Sequence, residues 1–158
     1  MPWTLPRGRH SRRAFARCGI NAALSIAALT IGCGRTYVPK TREFTITTVP
    51  LLVTELASTY PFLAKDFAKG GILDGKEVYA FEPNTLTVYS GDTLALTFIN
   101  PEDDAHSFVL PDFAVSVPGQ SVTHATYVAK EPGLYSFRCA IPSHLPSMVG
   151  ELVVLPVR

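Results

Sequence analysis

From Lys76 onward the chain is written almost entirely in short β-type runs separated by turn chemistry, and this leaves few folds open to it. Runs over 78–81, 85–89, 93–99, 107–110, 122–128, 133–138 and 151–155 are rich in Val, Thr, Leu, Tyr and Phe. Between them stand Pro83-Asn84, Ser90-Gly91-Asp92, Asn100-Pro101-Glu102-Asp103-Asp104, Pro118-Gly119 and Glu131-Pro132-Gly133. Such residues favour turns because they fix φ, tolerate positive φ or bond to their own backbone. A further β-branched run over 43–49 supplies a first strand, and the set predicts an all-β, two-sheet sandwich of about 100 residues.

One stretch breaks the pattern. Over 51–69, Leu52, Leu56 and Tyr60 recur every four residues, as do Leu63 and Phe67; Pro61 can start a turn of helix and Gly70-Gly71 can stop it. This predicts a short helical insertion packing an apolar face on the sandwich. The functional alternative is a lid or docking element near the site.

The amino-terminal fifth reads differently. Residues 1–32 hold five Arg and no acid, which leaves 9 Lys and Arg against 13 Asp and Glu, or −4, in the remainder. A chain of that balance is no nucleic-acid binder. The basic stretch runs into an uncharged, mostly apolar segment of 15 residues, 18–32. That suits an export signal better than a membrane span of roughly 20 residues. Ser11-Arg12-Arg13-Ala14-Phe15 is similar to a twin-arginine export signal, and Leu29-Thr30-Ile31-Gly32-Cys33 resembles a lipoprotein cleavage site, with Thr30 where Leu is usual. The expected organisation is a signal peptide over 1–32, a tether over 33–42 and one domain over 43–158. The expected location is the periplasm or the outer face of the cytoplasmic membrane, with lipid on Cys33.

If Cys18 leaves with the signal and Cys33 carries lipid, Cys139 is the one free thiol of an exported domain. Spare thiols are oxidised there, so a retained one suggests a metal ligand. Around it, Arg138-Cys139-Ala140-Ile141-Pro142-Ser143-His144-Leu145-Pro146-Ser147-Met148 places a thiol, an imidazole and a thioether on one short loop between two strands. These soft or borderline donors select copper or zinc over magnesium or calcium, and Cys, two His and a weak Met make an electron-transfer copper set. His106 is the candidate for the missing imidazole. Taken singly, Cys139 could be a buried core thiol, Met148 a gap-filler and His106 a turn residue. His124, within a strand and far from these residues in sequence, reads as structural or surface. Asp103 and Asp104 read as a solvated turn or a charged rim.

Five blocks in order carry a family resemblance: Phe81-Glu82-Pro83-Asn84-Thr85-Leu86-Thr87-Val88, Ser90-Gly91-Asp92-Thr93-Leu94, Ala105-His106-Ser107-Phe108, Pro118-Gly119-Gln120-Ser121 and Pro132-Gly133-Leu134-Tyr135-Ser136-Phe137-Arg138-Cys139. Together they resemble the small cupredoxins over about half the chain. The resemblance implies a Greek-key β-sandwich holding one type 1 copper, with His106, Cys139 and His144 as strong equatorial ligands and Met148 as the weak axial one. The Cys-x4-His-x3-Met spacing is closer to azurin than to plastocyanin. A binuclear copper site of the cytochrome-oxidase or nitrous-oxide-reductase kind would need a second Cys in the loop, and none is present. The resemblance further implies that Ser107 braces the Cys139 loop, and that electrons pass through a partly exposed His144 ring within a patch of Ile141, Pro142, Leu145 and Pro146.

The expected function is therefore a non-enzymatic, single-copper carrier that passes one electron between exported or membrane redox proteins. After residue 32 only His106, His124 and His144 remain, too few for a second catalytic copper centre. Two other classes compete: a copper-handling or structural copper-binding module, and an accessory subunit of an oxidase or reductase docked through the insertion.

Overall fold

The structure, a computed structural model, describes residues 36–144 and 147–157. The expected signal segment, Cys18 and Cys33 lie outside the described residues.

Among the described residues nine strands form the sandwich: β1 (Thr41–Leu52), β2 (Val78–Glu82), β3 (Thr85–Tyr89), β4 (Thr93–Asn100), β5 (His106–Leu110), β6 (Phe113–Val117), β7 (Ser121–Val128), β8 (Gly133–Arg138) and β9 (Val149–Leu155). One sheet has the order β2-β1-β4-β7 and the other β3-β9-β8-β5-β6. Alternation along the strands decides which face is buried. In β4, Leu94, Leu96 and Phe98 point inward while Thr93, Ala95 and Thr97 do not. Leu86 and Val88 of β3 and Leu152 and Val154 of β9 repeat the pattern from the opposite sheet.

At the centre, Phe81, Phe98, Phe108 and Phe137 are fully buried, and the Phe108 ring lies 4.6 Å from Phe137 and 5.0 Å from Phe98. Edge-to-face and offset rings at such distances add about 1 kcal/mol per pair beyond their area burial. This is the rigid floor of the site, because Phe108 lies two residues after His106 and Phe137 two before Cys139.

Two strand pairs are parallel, and they give the sandwich a direction. β1 runs with β4, from Thr41 opposite Thr93 to Thr47 opposite Ile99, and β3 runs with β9. The far ends of β1, β4 and β8 and the start of β9 therefore gather at one end, where the loops holding His106 and Cys139 also lie. The other end receives the chain after Thr36. There Asp92, fully buried, accepts hydrogen bonds from the Tyr37 hydroxyl, the Lys40 N–H at 2.7 Å, Arg42 Nε at 3.0 Å and the Tyr89 N–H at 3.1 Å. The turn before it requires Gly91 at φ 90°.

Burial alone would raise the Asp92 pKa; the hydrogen bonds from Tyr37, Lys40, Tyr89 and Arg42 outweigh it and hold the carboxyl well below the usual range. The contribution to stability is thus complete above the unfolded value of about 4 and is lost as pH falls below it. Asp92→Asn should cost about 2 kcal/mol at pH 7 and flatten the fall in Tm below pH 4, as read by thermal unfolding across pH.

Two expectations need correction. β6 stands where the sequence reading placed no strand. The predicted insertion is also shorter and more broken: β1 extends through Leu52, and only α1 (Leu56–Thr59), a 3-10 turn (Pro61–Leu63) and α2 (Ala64–Phe67) follow. Its apolar stripe is half used. Phe67 is buried and Leu56 packs on the core together with Val53, whereas Tyr60 and Phe62 face solvent. Because β1 runs towards the end holding His106 and Cys139, the insertion is delivered there.

Candidate metal centre

His106 and Cys139 sit at strand boundaries, and His144 on the loop between two strands. His106 opens β5, after a loop that buried Asn100 holds in shape. The Asn100 Oδ1 accepts from Thr48 Oγ1 at 2.7 Å and the Glu102 N–H at 3.2 Å, and its Nδ2 donates to the Asp104 carbonyl at 2.7 Å. Cys139 follows the last residue of β8. Its N–H donates to the Met148 carbonyl at 3.0 Å, closing the base of the ligand loop. His144 ends a short 3-10 turn (Pro142–His144) whose own N–H returns to the Ile141 carbonyl at 3.0 Å, which aims the ring inward.

These constraints bring three donors together. His106 Nδ1 and His144 Nδ1 are 3.1 Å apart, Cys139 Sγ and His144 Nδ1 are 3.7 Å apart, and all three donor atoms lie within 4.8 Å of one another. One ion about 2.0 Å from nitrogen and about 2.3 Å from sulfur could reach all three once the widest pair draws in by less than about 1 Å. The Cys139 N–H bond sets the Met148 backbone beside Cys139, and the Met148 side chain is wholly buried. Ser107 Oγ accepts the Ala140 N–H at 2.9 Å and lies 3.7 Å from Cys139 Sγ, the brace expected across the loop.

The electrostatics suit metal binding. Burial pushes the His106 pKa down to about 4, with the facing His144 adding to the fall and Asp104 opposing it. Burial also lowers His144, against Asp104 and Glu77. Both imidazoles are neutral at pH 7, so their lone pairs are available to an ion.

The His144 ring is not partly exposed as the sequence reading implied. It is 4% accessible, because Tyr79 of β2 packs against it with ring centroids 4.7 Å apart. The outer surface of the loop is instead Pro142 and Ser143, with Ile141 half-buried; Leu145 and Pro146 lie outside the described residues. His124 is apart from the cluster, exposed on β7, with Nδ1 3.1 Å from Thr97 Oγ1. Asp103 is exposed, but Asp104 is drawn in.

Sequence reasoning missed Tyr79. Its ring also meets His106 at 4.7 Å, edge-on, and its hydroxyl oxygen lies 2.6 Å from Asp104 Oδ2 and 2.7 Å from Glu77 Oε2. Glu77 in turn accepts the Thr54 N–H at 2.9 Å and the Thr54 hydroxyl at 2.8 Å. Burial raises the Tyr79 pKa, and Asp104 and Glu77 raise it further. Burial also works to raise Glu77, but the bonds from Thr54 and Tyr79 outweigh it and leave the carboxyl below its ordinary value. The only sequence clue was a large aromatic at an inward position next to Glu77, which reads equally well as core.

The cupredoxin-like domain family matches residues 74–154, about half of the chain and all three donors. The chain belongs to that family. The chain is also 34% identical over 84 residues to nitrous-oxide reductase from Stutzerimonas stutzeri, a match covering 49% of this chain and 13% of that protein. The chain thus corresponds to only a small part of that relative's length. A copper nitrite reductase from Nitrosomonas europaea shares the fold with a TM-score of 0.51 at 23% identity, over 73% of this chain and 42% of the other.

Proposed function

We propose that the cupredoxin domain holds a single type 1 copper ion, with His106, Cys139 and His144 as strong ligands and Met148 as a weak axial one, and serves as an electron carrier. The observation that carries this reading is the convergence of two neutral imidazoles and one thiol in a buried pocket: His106 is 2% accessible, His144 4% and Cys139 0%. A nitrogen, nitrogen and sulfur set of this kind suits copper, and bound copper would accept and release one electron.

The protein's own part is to hold the donors still. His106 and Cys139 are fixed at strand ends over the Phe108 and Phe137 rings, and Pro142 stiffens the loop. Donors held this way need move little when the charge of the ion changes. Burial keeps water and substrate away, which favours electron transfer through the protein over catalysis at the ion, so we read the protein as a carrier and not an enzyme. Encounters with redox proteins of the exported or membrane compartment would use the loop surface at Ile141, Pro142 and Ser143. Such encounters bury little area, typically below about 1,200 Å². Export, and lipid on Cys33, rest on the amino-terminal sequence.

A second reading draws on the insertion. Phe62 is 65% and Ile72 89% accessible, which favours a lasting contact with a larger complex as an accessory subunit. Co-purification with a membrane oxidase or reductase would support it.

The test is a visible and EPR titration of the purified protein with Cu(II). An intense thiolate-to-copper band with narrow hyperfine splitting at one equivalent is the expected result. Colourless copper with broad splitting would overturn the carrier and favour a copper-handling module.

A further inference from the structure

We propose that Glu77, Tyr79 and Asp104 form a negatively charged brace that holds both imidazoles and sets the preference of the site for Cu(II) over Cu(I). The proposal rests on the copper reading above and adds to it a function for the segment between β1 and β2.

Metal-binding histidines usually donate their second ring nitrogen to a carbonyl or carboxylate, which fixes the ring. His106 differs: its Nε2 is buried without a hydrogen-bond partner among the described residues. What holds the ring is Tyr79, packed against both His106 and His144 at 4.7 Å. Tyr79 is anchored in turn by its hydroxyl between Asp104, two residues before His106, and Glu77. Glu77 is tied to Thr54 at the start of the insertion, so the segment becomes part of the support of the site.

The hydrogen count gives the brace its character. A phenol has one hydrogen to donate, yet two carboxylate oxygens approach this one. Two acids thus gather round a single O–H beside the two imidazoles. A cation in the neighbouring pocket offsets their repulsion. Cu(II) bound to a thiolate leaves the site with one more positive charge than Cu(I) does, so the brace favours the oxidised form.

Glu77→Gln isolates the charge from the packing. The Gln amide oxygen can accept both Thr54 bonds, while its NH2 donates to the Tyr79 oxygen and the Tyr79 hydrogen goes to Asp104. Every contact has a donor and an acceptor, so the metal-free fold should unfold at the same temperature or slightly higher. Potentiometric titration of the copper-loaded full chain should show the Cu(II) to Cu(I) affinity ratio falling about tenfold, a rise of about 59 mV for a one-electron couple. Glu55→Gln, which removes an exposed carboxylate of the insertion outside the brace, should leave the ratio unchanged. An unchanged ratio in Glu77→Gln, or an equal shift in Glu55→Gln, overturns the inference. Failure of the unsubstituted chain to give a thiolate-to-copper band would instead overturn the copper reading on which it stands.

Discussion

Replacing Cys139 by serine is expected to abolish the visible band and to weaken Cu(II) binding by more than about 100-fold. Loss of a supporting residue around a metal ligand costs 10–100-fold, and Cys139 is proposed as a ligand itself. The substitution is small and the residue is buried under a loop closed by its own N–H, so the apo fold should persist. Near-normal Cu(II) affinity in a folded Cys139→Ser protein, measured by competition with a chelator, would show that the two imidazoles and Met148 suffice, and the carrier reading would fail.

Gly150→Ala is expected to destabilise the domain by about 3 kcal/mol, lowering Tm by about 10 °C, and to disturb the metal site from below. A Cβ at position 150 would overlap the Phe137 ring and the Asn84 carbonyl. The carbonyl cannot yield easily, because it accepts the Glu151 N–H at 2.8 Å. The Phe137 ring can yield only by pressing on Phe108 and Phe81, and Phe137 is two residues from Cys139. Calorimetry together with the copper spectrum distinguishes this from plain loss of stability: the band should shift as well as the Tm. An unchanged Tm would mean that β9 can move away from β8 at little cost.

The closeness of Cys139 and His144 was legible because the two share a short loop whose ends are pinned by two strands. His106 was legible because a turn-rich loop led into a strand from a His. β6 was missed although Phe113, Val115 and Val117 alternate; only Pro111 and Asp112 separate it from β5, and so short a connection reads as one longer loop. The insertion was misjudged because a four-residue repeat measures helical periodicity but not length, and β1 continued through Leu52 into the predicted helix. Burial of His144 and the bracing by Tyr79 were not legible. Both depend on β2 being brought back beside β1 after the insertion, a contact between segments far apart in the chain that no local pattern records.

The chain enters the sandwich at Lys40, whose carbonyl accepts the Thr93 N–H at the end opposite the three donors. β9 alone spans about 20 Å between those ends. The chain from Thr36 to Lys40 therefore meets the sandwich at the end away from His106, Cys139 and His144. Because Asp92 ties Tyr37, Lys40 and Arg42 to the sandwich at that end, a pull on Thr36 would be borne by these bonds, about the length of a strand away from the donors.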